Sequence, residues 1–275
     1  MQKPVLITFA KGGTMKLDIF QVDAFADKVF RGNPAAVVPL YEWLSDELMQ
    51  NIARENNLSE TAFFVRKGEY FELRWFTPEF EIDLCGHATM ASAHVLYAHL
   101  GYEDPAIVFV TKSGRLFVDR EKNGLYSMDI PSWPVKELQV TERVTKALGV
   151  RPDALYANKR DMMALFGSAD VVMSLKPDAR QVSQLDCVCL VCTAPSSDHD
   201  FVSRVFCPGV GIFEDPVTGS AHCGLVPFWA DQLGRNELRA RQISSRGGDL
   251  LCENIGDRVK IAGSAITYMV GTILL

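Results

Sequence analysis

An internal repeat narrows the fold of this chain more than any other feature of its sequence. Residues 81–101, EIDLCGHATMASAHVLYAHLG, are matched in outline half a chain later by residues 205–234, VFCPGVGIFEDPVTGSAHCGLVPFWADQLG. RWFTP at 74–78 answers RVFCP at 204–208, Gly86-His87-Ala88 answers Gly219-Ser220-Ala221, and Leu100-Gly101 answers Leu233-Gly234. The interval from Gly86 to Gly101 equals that from Gly219 to Gly234, fifteen residues in both copies. A repeat of this length implies two similar halves. Each half is expected to carry strands, a strand-to-helix junction opened by Gly, and a helix closed by Gly.

The first repeated helix has small side chains on all sides (Ala88, Ala91, Ser92, Ala93, Ala98) and few charges. Such a helix suits the centre of a curved sheet better than a surface with one wet face. The expectation is therefore an α/β (α+β) chain of two pseudo-symmetric domains, each a barrel-like sheet around a central helix. The proline-rich IPSWP at 130–134 suggests the division: 15–130, then 131–261, with the last strand, 262–275, free to return to the first domain. Residues 1–14 read as a leader outside the fold, because their apolar run is too short for a secretory segment.

Composition excludes several classes of function. A net charge of −6 leaves no basic footprint for nucleic acid, and no apolar run approaches the roughly 20 residues of a membrane helix. The seven cysteines are odd in number and sit in apolar segments, so they read as free thiols in a cytoplasmic protein. In DCVCLVCTAP, a strand would put Cys187 and Cys189 on one face and Cys192 on the other. The three could not converge on a metal, and no metal site is expected.

The polar residues near the two junctions are those a proton-transfer site would use. A helix start presents unpaired N–H groups and the positive end of the macrodipole, which favours carboxylates and developing oxyanions. NNLSETAFF sets Glu60 before an apolar stretch, where a partly desolvated carboxylate suits general acid or base work, although from these residues alone an exposed helix-to-strand turn is the stronger reading. His87 at a helix start is expected to stay neutral, or simply to be a hydrogen-bonded structural residue. Asp215, in EDPVTG, fits a substrate contact or a capped turn.

NxSET, CGHAT and EDPxTGSA, in this order, resemble the PhzF-like phenazine-biosynthesis family, whose fold is that of diaminopimelate epimerase. The likeness runs from residue 15 to the end. It implies an active site in the interdomain cleft, with Glu60 as the group that moves the proton. His87, Asp215, Ser220 and the backbone N–H groups of Gly219 and Gly86 are then expected to bind and polarise a small carboxylated substrate. No cofactor is implied, and a homodimer is usual for the family. Epimerases of this fold use two cysteines, one at each helix start. Here Cys85 holds the first position and Thr218 the second, and a hydroxyl is a poor acid-base partner near neutral pH. The expected function is thus a cofactor-independent isomerase acting through Glu60. The alternatives are a racemase or epimerase using Cys85 and a non-catalytic protein that binds a small acid.

Overall fold

The structure, a computed structural model, describes residues 8–9, 15–208 and 212–275. Its chain forms two compact units, 1–129 with 262–275, and 130–261. In the first unit the order is β1 (Thr8–Phe9), β2 (Met15–Ala24), β3 (Asn33–Leu40), α1 (Asp46–Asn56), β4 (Glu60–Lys67), β5 (Tyr70–Phe76), β6 (Glu81–Ile82), α2 (Gly86–Ala98), β7 (Ala106–Thr111), β8 (Gly114–Arg120) and β9 (Tyr126–Pro131). The second continues with β10 (Lys136–Leu138), α3 (Glu142–Leu148), β11 (Ala154–Ala157), β12 (Met162–Leu165), α4 (Ala169–Ser174), α5 (Ala179–Val182), β13 (Leu190–Pro195), β14 (Phe201–Cys207), β15 (Ile212–Asp215), a 3₁₀ turn (Gly219–Ala221), α6 (His222–Leu233), β16 (Glu237–Gln242), β17 (Gly248–Asn254) and β18 (Arg258–Gly263). The last strand, β19 (Ala265–Leu274), pairs antiparallel with β2 along nearly its whole length. The expected leader lies outside the described residues, save for Thr8 and Phe9, which pair with Lys16 and Met15.

The strand pairings repeat. In the first unit β2 is antiparallel to β3, β3 parallel to β4, β4 antiparallel to β5, and β5 antiparallel to β6 but parallel to β7. In the second, β11, β12, β13, β14, β15 and β16 follow the same sequence of directions. The repeat extends to side chains. Arg74 donates from Nε and Nη2 to both oxygens of Glu81, each at 2.8 Å, and Arg204 does the same to Glu214 at 2.7 and 2.9 Å. Each guanidinium also lies over a phenylalanine, Phe76 at 5.1 Å and Phe206 at 4.9 Å from the ring centroid. Planar, two-pronged pairing of this kind fixes geometry as well as charge.

The central helix of the first unit, α2, is buried on almost every side, and it packs against β2, β3, β4, β8 and β19. Its two aliphatic hydroxyls avoid an unpaired burial by bonding back along the helix: Thr89 Oγ1 donates to the Cys85 carbonyl at 2.5 Å and Ser92 Oγ to that of Ala88 at 2.7 Å. The second copy departs from a plain helix in two ways. It opens with the 3₁₀ turn, and Pro227 stands inside α6. Proline has no N–H for the carbonyl four residues back, and the N–H of Trp133 takes that place on the Cys223 carbonyl at 2.7 Å.

The cysteines need correction on two counts. β13 begins at Leu190, so Cys187 and Cys189 lie outside the strand and only Cys192 is within it, fully buried. Leu190 pairs with Phe206, which brings the next residues outward, Cys189 and Cys207, together, and these form a disulfide with Cα atoms 4.5 Å apart. That separation is usual for a non-hydrogen-bonded antiparallel pair. Strand pairing makes the contact, and residues 18 apart in sequence give no local sign of it. Among the described residues, no helix is long and apolar enough to cross a membrane.

Candidate active site

Glu60 opens β4, and its position follows from how α1 ends. Ser45 caps the start of α1 by accepting the Leu48 N–H, and Asn57 closes it in the left-handed region at φ 50°, where Asn is tolerated better than most side chains. After that stop the chain turns into β4, which is buried from Glu60 to Val65 because its parallel neighbour β3 is buried too. The carboxylate is therefore carried into the interior, 8% exposed.

There it meets α2. Cys85 is the residue before the helix, and it contributes no side-chain cap. His87, one residue past Gly86, is 4% exposed, and its Nε2 lies 2.9 Å from Glu60 Oε2. Its other nitrogen, Nδ1, is 3.1 Å from Asn33 Nδ2. A bare Nδ1 accepts from the amide nitrogen of Asn33, and a protonated Nδ1 would be met by the amide oxygen after a half-turn, so one side chain can serve both forms of the imidazole. Burial alone would lower the pKa of His87, but the facing Cys85 and Glu60 outweigh it and hold it well above the ordinary value. Of these two, the Glu60 carboxylate is the operative one, since Cys85 is a neutral thiol at neutral pH. The neutral imidazole expected from the helix dipole is corrected accordingly. The dipole is overridden by a carboxylate in contact.

Cys85 lies 3.5 Å from Nδ1 and 4.0 Å from Nε2 of His87. An atom on the in-plane axis of one ring nitrogen would stand about 2 Å farther from the other, so the sulfur packs beside the ring and off both lone pairs. Burial, with the Glu60 charge adding to it, pushes the thiol up to about 11. Although the ligand atoms of Glu60, Cys85 and His87 fall within 4.8 Å of one another, a metal could not take Cys85 and His87 together along their lone pairs without rearrangement.

In the second unit the other expected residues cluster around the 3₁₀ turn. Thr218 Oγ1 donates to Asp215 Oδ2 at 2.5 Å, so the hydroxyl that replaces an epimerase cysteine is already engaged. Gln242, fully buried, joins these residues: Nε2 donates to the Asp215 carbonyl at 2.6 Å and Oε1 accepts the Thr218 N–H at 2.8 Å. Ser220, half-buried, receives a hydrogen bond from Arg160 Nη2 at 2.9 Å. His222 donates from Nδ1 to the Thr218 carbonyl at 2.9 Å, and burial pushes its pKa down to about 4.

Glu60, Cys85, Gly86 and His87 thus form one group, and Asp215, Thr218, Gly219 and Ser220 another, each organised within its own unit. Sequence reading missed Asn33, Arg160 and Gln242. Asn33 opens β3 and Arg160 lies in the turn before β12, both far from the motifs in sequence, and only the pairings of β3 with β4 and β12 with β13 bring them in.

Comparison with known proteins agrees with this architecture. The family model for phenazine biosynthesis-like protein matches residues 22–271. An uncharacterized isomerase of Pseudomonas aeruginosa is 48% identical over 261 residues, covering 95% of this chain and 100% of the relative. The crystal structure of a PhzF-family phenazine biosynthesis protein from Enterococcus faecalis superposes with a TM-score of 0.92 at 43% identity, covering 95% and 100% of the two chains. A predicted epimerase from Pseudomonas aeruginosa, 19% identical and covering 94% and 99%, shares the fold at a TM-score of 0.72. Matched over nearly its whole length by these proteins, the chain is an isomerase belonging to the phenazine biosynthesis-like family.

Proposed function

We propose that the protein is a cofactor-independent isomerase in which Glu60 moves a proton between two carbons of a small carboxylated substrate. The observation that carries this reading is the buried contact of Glu60 with His87, 2.9 Å long. As carboxylate, Glu60 takes a proton from an activated carbon; as acid, it returns that proton to a second carbon on the same face. His87, its Nε2 beside the carboxylate, pairs with it in one stage and stabilises the delocalised anion in the other, and exclusion of water keeps the proton in the site. The substrate-binding roles of Gly86, Asp215, Gly219 and Ser220 belong to the same reading. Asp215 and Ser220 are each already fixed by a hydrogen bond, which is what a preorganised contact needs. A homodimer and a cytoplasmic setting complete the proposal.

Proton NMR in D₂O tests it. The protein is offered a panel of small carboxylic acids that includes dihydro-hydroxyanthranilate and common amino acids. Rearrangement of one of them, or exchange of a carbon-bound proton, is expected. A panel that contains a compound bound saturably but neither rearranged nor exchanged would favour the binding-protein alternative.

A further inference from the structure

The two units share a positioning slot that is filled by different chemistry. Asn33 stands two residues before Ala35, which pairs with Glu60 at the start of β4; Arg160 stands two residues before Met162, which pairs with Leu190 at the start of β13. Each reaches the residue that follows the helix-opening glycine in its own unit. Asn33 meets His87 after Gly86 at 3.1 Å, and Arg160 meets Ser220 after Gly219 at 2.9 Å. A neutral amide thus occupies the slot in the unit of the proton-moving glutamate, and a guanidinium occupies it in the other.

Arg160 is held firmly. Asn158 Oδ1 accepts the N–H groups of both Arg160 and Asp161 at 2.9 Å, fixing the turn. The guanidinium donates from Nε and Nη2 to Asp161 at 2.7–3.0 Å, and Asp161 is 4% exposed. The guanidinium also lies over the Trp133 ring, 5.2 Å from its centroid. The Nη2 contact occupies a lone pair of Ser220 Oγ, and an oxygen that accepts from a cation is left to donate its own hydrogen elsewhere.

We infer that Arg160 is a positioning residue: it fixes the Ser220 hydroxyl as a donor toward an anionic group of the ligand, in the first instance a carboxylate. This rests on the substrate-binding role proposed for Ser220. It also gives the two slots separate tasks, the amide serving an imidazole in one unit and the guanidinium serving a hydroxyl in the other.

Formate, the smallest carboxylate, is the probe, titrated at constant ionic strength against chloride while the amide of Ser220 is followed by ¹⁵N–¹H NMR. Wild-type protein is expected to show a saturable shift with formate and none with chloride. Arg160→Met alone strands the buried Asp161 charge and risks unfolding, so it is paired with Asp161→Asn. The double variant is expected to bind formate about tenfold more weakly or worse. Arg160→Lys, which keeps the charge without the fork, should recover part of that loss. Ser220→Ala should lose binding to a similar degree, and adding it to the double variant should cost little more. A wild-type protein without a saturable formate shift, or a double variant that binds as wild type does, overturns the inference. Glu60→Gln serves as the separating control. It should still bind formate, so a failure of the proton-shuttle reading would show in its exchange activity and a failure of this inference in the formate titration.

Discussion

Cys85 separates the two chemistries open to this site, and its environment predicts which one runs. Racemisation by a thiol needs a thiolate within reach of neutral pH, whereas burial and the Glu60 charge push this thiol from 9.0 up to about 11. At pH 7 the thiolate is then about one part in ten thousand, against about one in a hundred for the unshifted group. Alkylation by iodoacetamide, which requires the thiolate, should be about a hundredfold slower at Cys85 than at an exposed thiol, before limited access is counted. Peptide-resolved mass spectrometry of the labelling rate between pH 7 and 10 measures this. The rate should climb about tenfold per pH unit and show no plateau in that range. In parallel, Cys85→Ala should retain carbon–hydrogen exchange within a few-fold and cost roughly 1 kcal/mol of stability for a small buried side chain. A labelling plateau below pH 8, or loss of exchange in Cys85→Ala, would refute the reasoning and give the chemistry to the thiol.

Two further outcomes concern stability. His222 is fully buried with its pKa pushed down to about 4 by burial, so the unfolded chain binds the proton more readily than the native one between about pH 6.5 and 4. Its share of stability is therefore whole above about 6.5 and falls by about 3 kcal/mol as the pH drops toward 4. Thermal melts of His222→Asn should show a shallower acid slope than wild type, and equal slopes would contradict the assignment. At Gly224 an added Cβ would lie 3.0 Å from Asn158 Nδ2 and 3.3 Å from Val135 Cγ1. Asn158 cannot swing aside freely, because its Oδ1 holds the Arg160 turn. Gly224→Ala should thus lower the melting temperature by several degrees, an overpacking cost of about 1–3 kcal/mol exceeding the roughly 1 kcal/mol gained from helix propensity. An unchanged melting temperature would show that the neighbours yield.

Much of the architecture was legible because the repeat is written in residues that do the same physical work twice. RWFTP and RVFCP supply Arg74 and Arg204, whose matching pairs with Glu81 and Glu214 brace the strands that lead into each helix. The apolar, small-sided composition of 86–98 announced a central helix, since a helix without a polar face has to be surrounded. What stayed hidden depends on contacts between distant strands. Asn33 and Arg160 sit in GNPAA and NKRDM, stretches with no chemical signature of their own, and acquire roles only when β3 meets β4 and β12 meets β13. The Cys189–Cys207 bond was concealed likewise, by a pairing that an odd cysteine count argues against. His87 shows a different limit. Its backbone position at a helix start pointed one way, and a single carboxylate 2.9 Å from its ring decided the other.

The central claim is that Glu60 carries the proton, and its most direct test compares wild type with Glu60→Gln in D₂O on a compound the wild-type protein isomerises or exchanges. Glutamine keeps the size of the side chain and a hydrogen-bonding oxygen for His87 but cannot take up a proton. The account predicts that the variant still binds the compound and loses isomerisation, and any carbon–hydrogen exchange, by several orders of magnitude, toward the uncatalysed rate. Isomerisation or exchange that persists in Glu60→Gln near the wild-type rate would contradict the account and remove Glu60 as the base.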